Sequence, residues 1–163
     1  MEISTSVLSV KEEKSIETFY KIEVAHTDYF HIDVMDGKFV KQDTSNLMQS
    51  YIDHLENITN TPIEVHLMVE NVKEYVDRFS ASNPSQIFFH IEAIKTKKEI
   101  LEMIKYIKET CKAGIVVNPE TKIKEIFEYL PFIHTVLVMT VNPGKGGQEL
   151  IPETIAKIKE LKE

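Results

Sequence analysis

Hydrophobic and polar positions alternate along this chain in two different periods. Short β-branched or aromatic runs read as buried strands over Glu2–Ser9, Tyr29–Met35, Pro62–Met68, Gln86–Ile91, Ala113–Asn118 and Thr135–Thr140. The charged stretches between them carry apolar residues at helical spacing. Ile100, Ile104 and Ile107 form one such stripe, and Ile151, Ile155 and Ile158 another. Ile123, Ile126, Phe127 and Leu130 form a third. Asn71 followed by Glu74 reads as an N-cap with its capping-box partner, and Pro152 fits the first turn of the last helix. Six strand–helix pairs in strict alternation predict a parallel sheet with right-handed crossovers. The pattern itself allows two closures, an open doubly wound sheet or a barrel. No linker, low-complexity tract or charge block interrupts it, so residues 1–163 read as a single domain.

The strands break their own rule at their carboxyl ends. Alternate residues on a strand point to one face. The second strand therefore places His31, Asp33 and Met35 together, and the third places His66 and Met68. The fourth offers His90 and Glu92, and the first Ser4 and Ser6. The sixth ends in Met139 and Thr140, followed by a loop containing Gly144, Lys145, Gly146 and Gly147. In both closures, ligands bind at the carboxyl ends of parallel strands. Two imidazoles and a carboxylate converging there suit a divalent transition metal, while each histidine taken singly also reads as a hydrogen-bonded core residue. The glycine loop can present N–H groups to a phosphate, but it lacks the spacing of a Walker A motif. Asp36-Gly37 reads as a turn that anchors its loop, and His26, His54 and His134 read as surface or loop residues.

Composition narrows the class of partner. Net charge is −7 with an isoelectric point near 5.4, which argues against non-specific binding to nucleic acid or an anionic membrane. The single cysteine, Cys111, allows no intrachain disulfide and fits a reducing, cytoplasmic setting. No secretory signal is evident, and the apolar runs are too short to span a membrane. At 163 residues the chain is shorter than the roughly 200–250 usual for a complete (β/α)8 barrel.

Several segments together resemble one family. His31-Ile32-Asp33-Val34-Met35-Asp36-Gly37-Lys38-Phe39-Val40 is similar to the signature segment of ribulose-phosphate 3-epimerases. Val65-His66-Leu67-Met68-Val69-Glu70-Asn71 resembles their second signature, and His90-Ile91-Glu92-Ala93 their fourth-strand motif. Val138 to Gly144, then Gly146-Gly147-Gln148, resembles the sixth-strand phosphate loop, and Ile3-Ser4 with Ser6 to Ser9 the first strand. The resemblance implies a (β/α)8 TIM-type barrel with about six of its eight units in this chain. It implies inversion at C3 of a ketopentose 5-phosphate, between ribulose 5-phosphate and xylulose 5-phosphate, through an enediolate.

Carried over by position, Asp33 is the first acid/base group and a metal ligand, and His31 and His66 are the other ligands. Ser6 is a substrate contact, Met35, Met68 and Met139 wall the enediolate, and Gly144, Gly146 and Gly147 hold the phosphate. One divalent ion is implied, with zinc, iron(II), manganese or cobalt all suiting such a donor set. His90 and Glu92 are expected to orient neighbouring groups. A sugar phosphate is the expected partner, and a homo-oligomer the expected assembly.

The family's second catalytic aspartate and most of its phosphate pocket belong to strands seven and eight, which have no counterpart before Glu163. Local departures include Thr5 for a usual proline, Lys11 for a common aspartate, Lys41-Gln42-Asp43-Thr44 for a Pro-Asn loop, and Lys145 for a usual phenylalanine. Lys145 is expected to be solvated. Three readings stand: an epimerase whose remaining strands lie outside this chain, a relative that binds metal or sugar phosphate without turnover, and an interaction module pairing through unpaired sheet edges. A related ketohexose-6-phosphate 3-epimerase is a further alternative for the substrate.

Overall fold

The computed structural model describes residues 1–162. Six strands form one sheet in the order β1 to β6: Ser4–Ser6, Tyr29–Met35, Ile63–Met68, Gln86–His90, Lys112–Val117 and Thr135–Val138. All five pairings are parallel. Each new strand joins the same edge, so right-handed crossovers leave all the helices on one side and the sheet curls away from them into a half-barrel. The curl brings distant loops together. A Cβ added to Gly144, after β6, would stand 3.3 Å from Val40 Cβ, and one on Gly146 would stand 3.1 Å from Ser9 Oγ.

Alternation divides the strands between two environments. Phe30, Ile32 and Val34, then Val65 and Leu67, Ile87 and Phe89, Ile115 and Val117 belong to one buried cluster with the helices. The helices are α1 (Ser15–Val24), α2 (Ser45–Glu56), α3 (Val72–Ser80), α4 (Lys97–Ile107) and α5 (Thr154–Glu160). Their contributions include Phe19, Met48, Tyr51, Val76 and Phe79. Phe19 packs edge-on against both Phe30 and Tyr51, with ring centroids 6.1 and 5.2 Å away. The other strand face lines the concave side and carries the polar residues. Gly114 on this face leaves room for the Phe88 ring, because a Cβ there would meet the ring at 2.4 Å.

The β2 boundaries fall where alternation put them. The first strand is shorter than expected, Ser4–Ser6 in place of Glu2–Ser9, because the chain turns at once: Val10 N–H donates to Val7 O at 3.0 Å. The other strands differ from expectation by one or two residues at an end. The buried stripe at Ile100, Ile104 and Ile107 lies on α4 as its spacing predicts.

The stripe after β5 is a correction. Ile123–Phe132 is a 3₁₀ helix, and its buried residues are Ile123, Ile126 and Tyr129, a period of three. Phe127 and Leu130, assigned inward on an α-helical count, are exposed. Pro131, near the end of the segment, has no N–H to donate to either kind of helical ladder.

Two helix starts also differ. α3 does begin after Asn71, but the Asn71 side chain donates to Glu74 Oε2 at 2.9 Å rather than accepting from the backbone. The capping box forms instead at Thr96 and Glu99, on α4. Pro152 lies in the turn before α5, where its fixed φ fits equally well. Lys157 on α5 donates to the carbonyls of Asn118, Pro119 and Thr121, tying that helix to the loop after β5.

Candidate metal centre

Register places the concave-face residues in layers. Ser6 pairs with His31 and His31 with Glu64, Asp33 pairs with His66, and Met35 with Met68. His31 Nε2, Asp33 Oδ1 and His66 Nδ1 converge: the nitrogens lie 3.2 and 3.0 Å from the carboxylate oxygen and 3.4 Å from each other. Among the described residues these three form a group able to hold a metal ion. A tetrahedral metal with donors at about 2.0–2.1 Å sets those donors roughly 3.3 Å apart, so the triangle fits one face of such a site. The mixed nitrogen and oxygen donors suit a borderline divalent ion.

The cluster holds charge in a confined place. Burial disfavours a charged His31, but hydrogen bonds and attraction to Asp33 and Glu64 outweigh it and push its pKa up to about 9. Burial would raise the Asp33 carboxyl, yet hydrogen bonds from His31 and His66 hold it well below the usual carboxylate range. His66 is pushed down to about 4, chiefly by burial, with the nearby histidines adding to this against its bond to Asp33. Asp33 is thus ionised at neutral pH and His66 neutral. The two Asp33 oxygens differ in setting, since Oδ2 accepts from Ser6 Oγ at 2.5 Å.

The surrounding loops are built to hold their shape. Asp36 Oδ1 accepts from Lys38 N and Phe39 N, both at 2.9 Å, and its Oδ2 from Glu70 N at 2.7 Å. It therefore does the turn-anchoring that its sequence context suggests. The anchored loop lays Phe39 against His90, ring centroids 4.9 Å apart. Thr44 Oγ1 ties the end of this loop to β2, donating to Asp33 O and accepting from Met35 N.

Met35 and Met68 are buried in the layer above Asp33 and His66. Met139 follows β6, half-buried, its N–H bonded to Val117 O at 3.0 Å. Gly144 and Gly147 have φ of 118° and 70°, a left-handed backbone that favours glycine. Lys145 and Gly146 are exposed between them, in keeping with a solvated lysine. His26 and His134 are exposed and His54 half-buried, outside the cluster. Sequence reasoning missed Glu64. Its Oε1 lies 2.7 Å from His31 Nδ1 and accepts from Ser4 Oγ at 2.6 Å. The signal was there: Glu64 stands two residues before His66, on the same face of an otherwise apolar strand.

A curled parallel sheet with a His–Asp–His cluster on its concave face defines a barrel-type α/β enzyme with a metal-capable centre. Comparison with known proteins narrows that class. The ribulose-phosphate 3-epimerase family model matches residues 2–163. The chain is 40% identical over 162 residues to the ribulose-phosphate 3-epimerase of Methanocaldococcus jannaschii, covering 99% of this chain and 67% of that protein. It is 38% identical over 161 residues to the Escherichia coli enzyme of that name, covering 98% and 70%. To the Bacillus subtilis enzyme it is 33% identical over 162 residues, covering 99% and 73%. This chain belongs to the ribulose-phosphate 3-epimerase family, whose named members are isomerases acting on carbohydrates. Among its described residues, no helix is long and apolar enough to cross a membrane.

Proposed function

We propose that this chain performs metal-dependent proton transfer at C3 of a ketopentose 5-phosphate, on the path between ribulose 5-phosphate and xylulose 5-phosphate. The observation that carries this reading is the division of labour within Asp33. Its Oδ1 faces both imidazoles, while its Oδ2 faces Ser6 on the concave side. The proton next to a carbonyl needs an ionised base within reach, and Asp33 Oδ2 is that base. His31, Asp33 and His66 would hold a divalent ion, which when bound would supply positive charge beside the developing enediolate. Ser6 Oγ holds Oδ2 in place and meets the substrate's polar edge. Met35, Met68 and Met139 wall the reacting carbons and exclude water. Gly144, Gly146 and Gly147 offer backbone N–H groups to the phosphate.

Inversion calls for acid/base groups on both faces of C3, and the residues proposed here serve one face. Exchange and inversion are therefore separate readouts. The test incubates the cobalt-loaded chain with ribulose 5-phosphate in deuterated water and follows the C3 proton by NMR. Exchange is the expected result, and appearance of xylulose 5-phosphate reports inversion. No exchange, with metal and substrate present, sinks the reading. Faster exchange on a ketohexose 6-phosphate would reassign the substrate.

A further inference from the structure

Two polar contacts around the His–Asp–His triangle are not used by that reaction. An imidazole that gives one nitrogen's lone pair to a metal keeps its proton on the other, and in a buried site that proton needs an acceptor. His31 turns Nε2 towards the triangle and Nδ1 away, where Glu64 Oε1 lies 2.7 Å from it. Glu64 is 8% exposed and braced by Ser4. His66 is the reverse, with Nδ1 in the triangle and Nε2 facing outward. That Nε2 lies 2.9 Å from Nε2 of His90, which is fully buried.

Of two nitrogens this close, one donates and the other accepts. When His66 Nδ1 serves a metal, His66 Nε2 carries the proton, and His90 Nε2 must accept it. Any proton that His90 keeps then sits on Nδ1. That atom is buried without a hydrogen-bond partner, and Glu92 Oε2 faces it at 3.4 Å. Glu92 is itself held by Asn118 N at 2.8 Å and by the Thr121 hydroxyl. A buried orphan nitrogen beside an anchored carboxylate is what the metal-ready proton arrangement would use.

We propose that Glu64 and the His90–Glu92 pair are positioning residues that set the proton positions of the two ligand histidines. Glu64 acts through His31 Nδ1, and His90, backed by Glu92, acts through His66 Nε2. Together they turn the lone pairs of His31 Nε2 and His66 Nδ1 to the same point. In the metal-free chain the ionised Asp33 can only accept, so His66 Nδ1 donates to its Oδ1, 3.0 Å away, and His66 Nε2 is left to accept from His90 Nε2 at 2.9 Å. Metal binding moves the His66 Nδ1 proton and the His90 Nε2 proton to the other nitrogen of each ring. His31, protonated at neutral pH in the metal-free chain, releases its Nε2 proton to solvent.

This inference rests on the metal reading above, and its test separates the two. Two-bond nitrogen–proton correlation spectra of the full chain, labelled at histidine nitrogen, report the tautomers. In the zinc-loaded chain the expected protons are on His31 Nδ1, His66 Nε2 and His90 Nδ1. A His90 proton on Nε2 in that state overturns the proposal, whatever any variant does. Cobalt(II) affinity by equilibrium dialysis is the second readout. Glu64→Leu and His90→Leu remove the acceptors and should weaken binding about 10–100-fold, whereas Glu64→Gln and His90→Gln keep an acceptor oxygen in place and should stay within roughly threefold. Leu variants with native circular dichroism that bind cobalt as tightly as the parent overturn the positioning role alone. A parent that binds neither zinc nor cobalt overturns the metal reading with it.

Discussion

At the scale of single residues, the site is a contest between burial and charge, and its outcome is measurable. Metal-free His31, at about 9, holds a proton more tightly when folded than at its ordinary 6.5. Its contribution is full below about 6.5 and is lost as pH rises through about 9. His66, at about 4, has the opposite sense. The unfolded chain takes up its proton between about 6.5 and 4 while the folded chain does not, so stability falls as pH drops through that window. On these two groups the metal-stripped chain is most stable near pH 6.5, and urea midpoints from pH 5 to 9 should peak there. A flat profile would contradict the cluster's electrostatics. Asp33→Asn removes the base while keeping the shape, and C3 exchange should fall about 10²–10⁴-fold. An Asn variant exchanging at the parent's rate would show that the base lies elsewhere. His31 and Asp33 were legible as one face of β2 because alternate residues share a face, whereas Ser6, on another strand, was given its role by the family resemblance. Glu64 was not read as part of the site, because its partners Ser4 and His31 lie 60 and 33 residues away and only strand register joins them.

At the scale of elements, apolar spacing guided some stripes and missed others: in α5, Ile151 lies before the helix, Ile155 is exposed and the buried residue is Thr154. β2 and the α4 stripe follow the spacing closely. The segment Ile123–Phe132 did not, since a stripe of four apolar residues can be counted at 3.6 or at 3.0. The buried residues Ile123, Ile126 and Tyr129 show that the period of three was the one adopted. Capping was legible as chemistry but not as placement, for Asn71–Glu74 and Thr96–Glu99 present similar patterns and one of them closes the box. In α4 the Thr96 hydroxyl accepts from Glu99 N at 3.2 Å, and Glu99 Oε2 accepts from Thr96 N at 3.1 Å. Thr96→Ala should therefore cost about 0.5–2 kcal/mol, read as a lowered denaturant midpoint. The corresponding change at Asn71, whose side chain caps no backbone N–H, should cost less. Equal losses at the two positions would count against this assignment.

At the scale of the whole molecule, the proposed metal site would join β2 to β3 on the sheet's concave face, so binding should stabilise the fold. At a free zinc concentration 100 times the dissociation constant, linkage gives about 2.7 kcal/mol. For a chain of this size that is a rise of roughly 5–10 °C in melting temperature. His66→Ala should abolish most of the rise. An unchanged melting temperature for the parent across a zinc titration would remove the metal from the account.

The sequence by itself determined the βα alternation, the parallel sheet, the polar residues on one face of β2 and β3, and the family. These follow from local spacing and from contiguous motifs, which need no knowledge of distant contacts. The alternation did not choose between a flat doubly wound sheet and a curled one. That was decided by strand order: β1 to β6 add in sequence along one edge, and the apolar faces of all the helices must then share one side. Tertiary structure also decided which carboxylate meets which imidazole nitrogen, because hydrogen bonds of 2.7–3.4 Å between strands depend on register and side-chain rotation rather than on residue type.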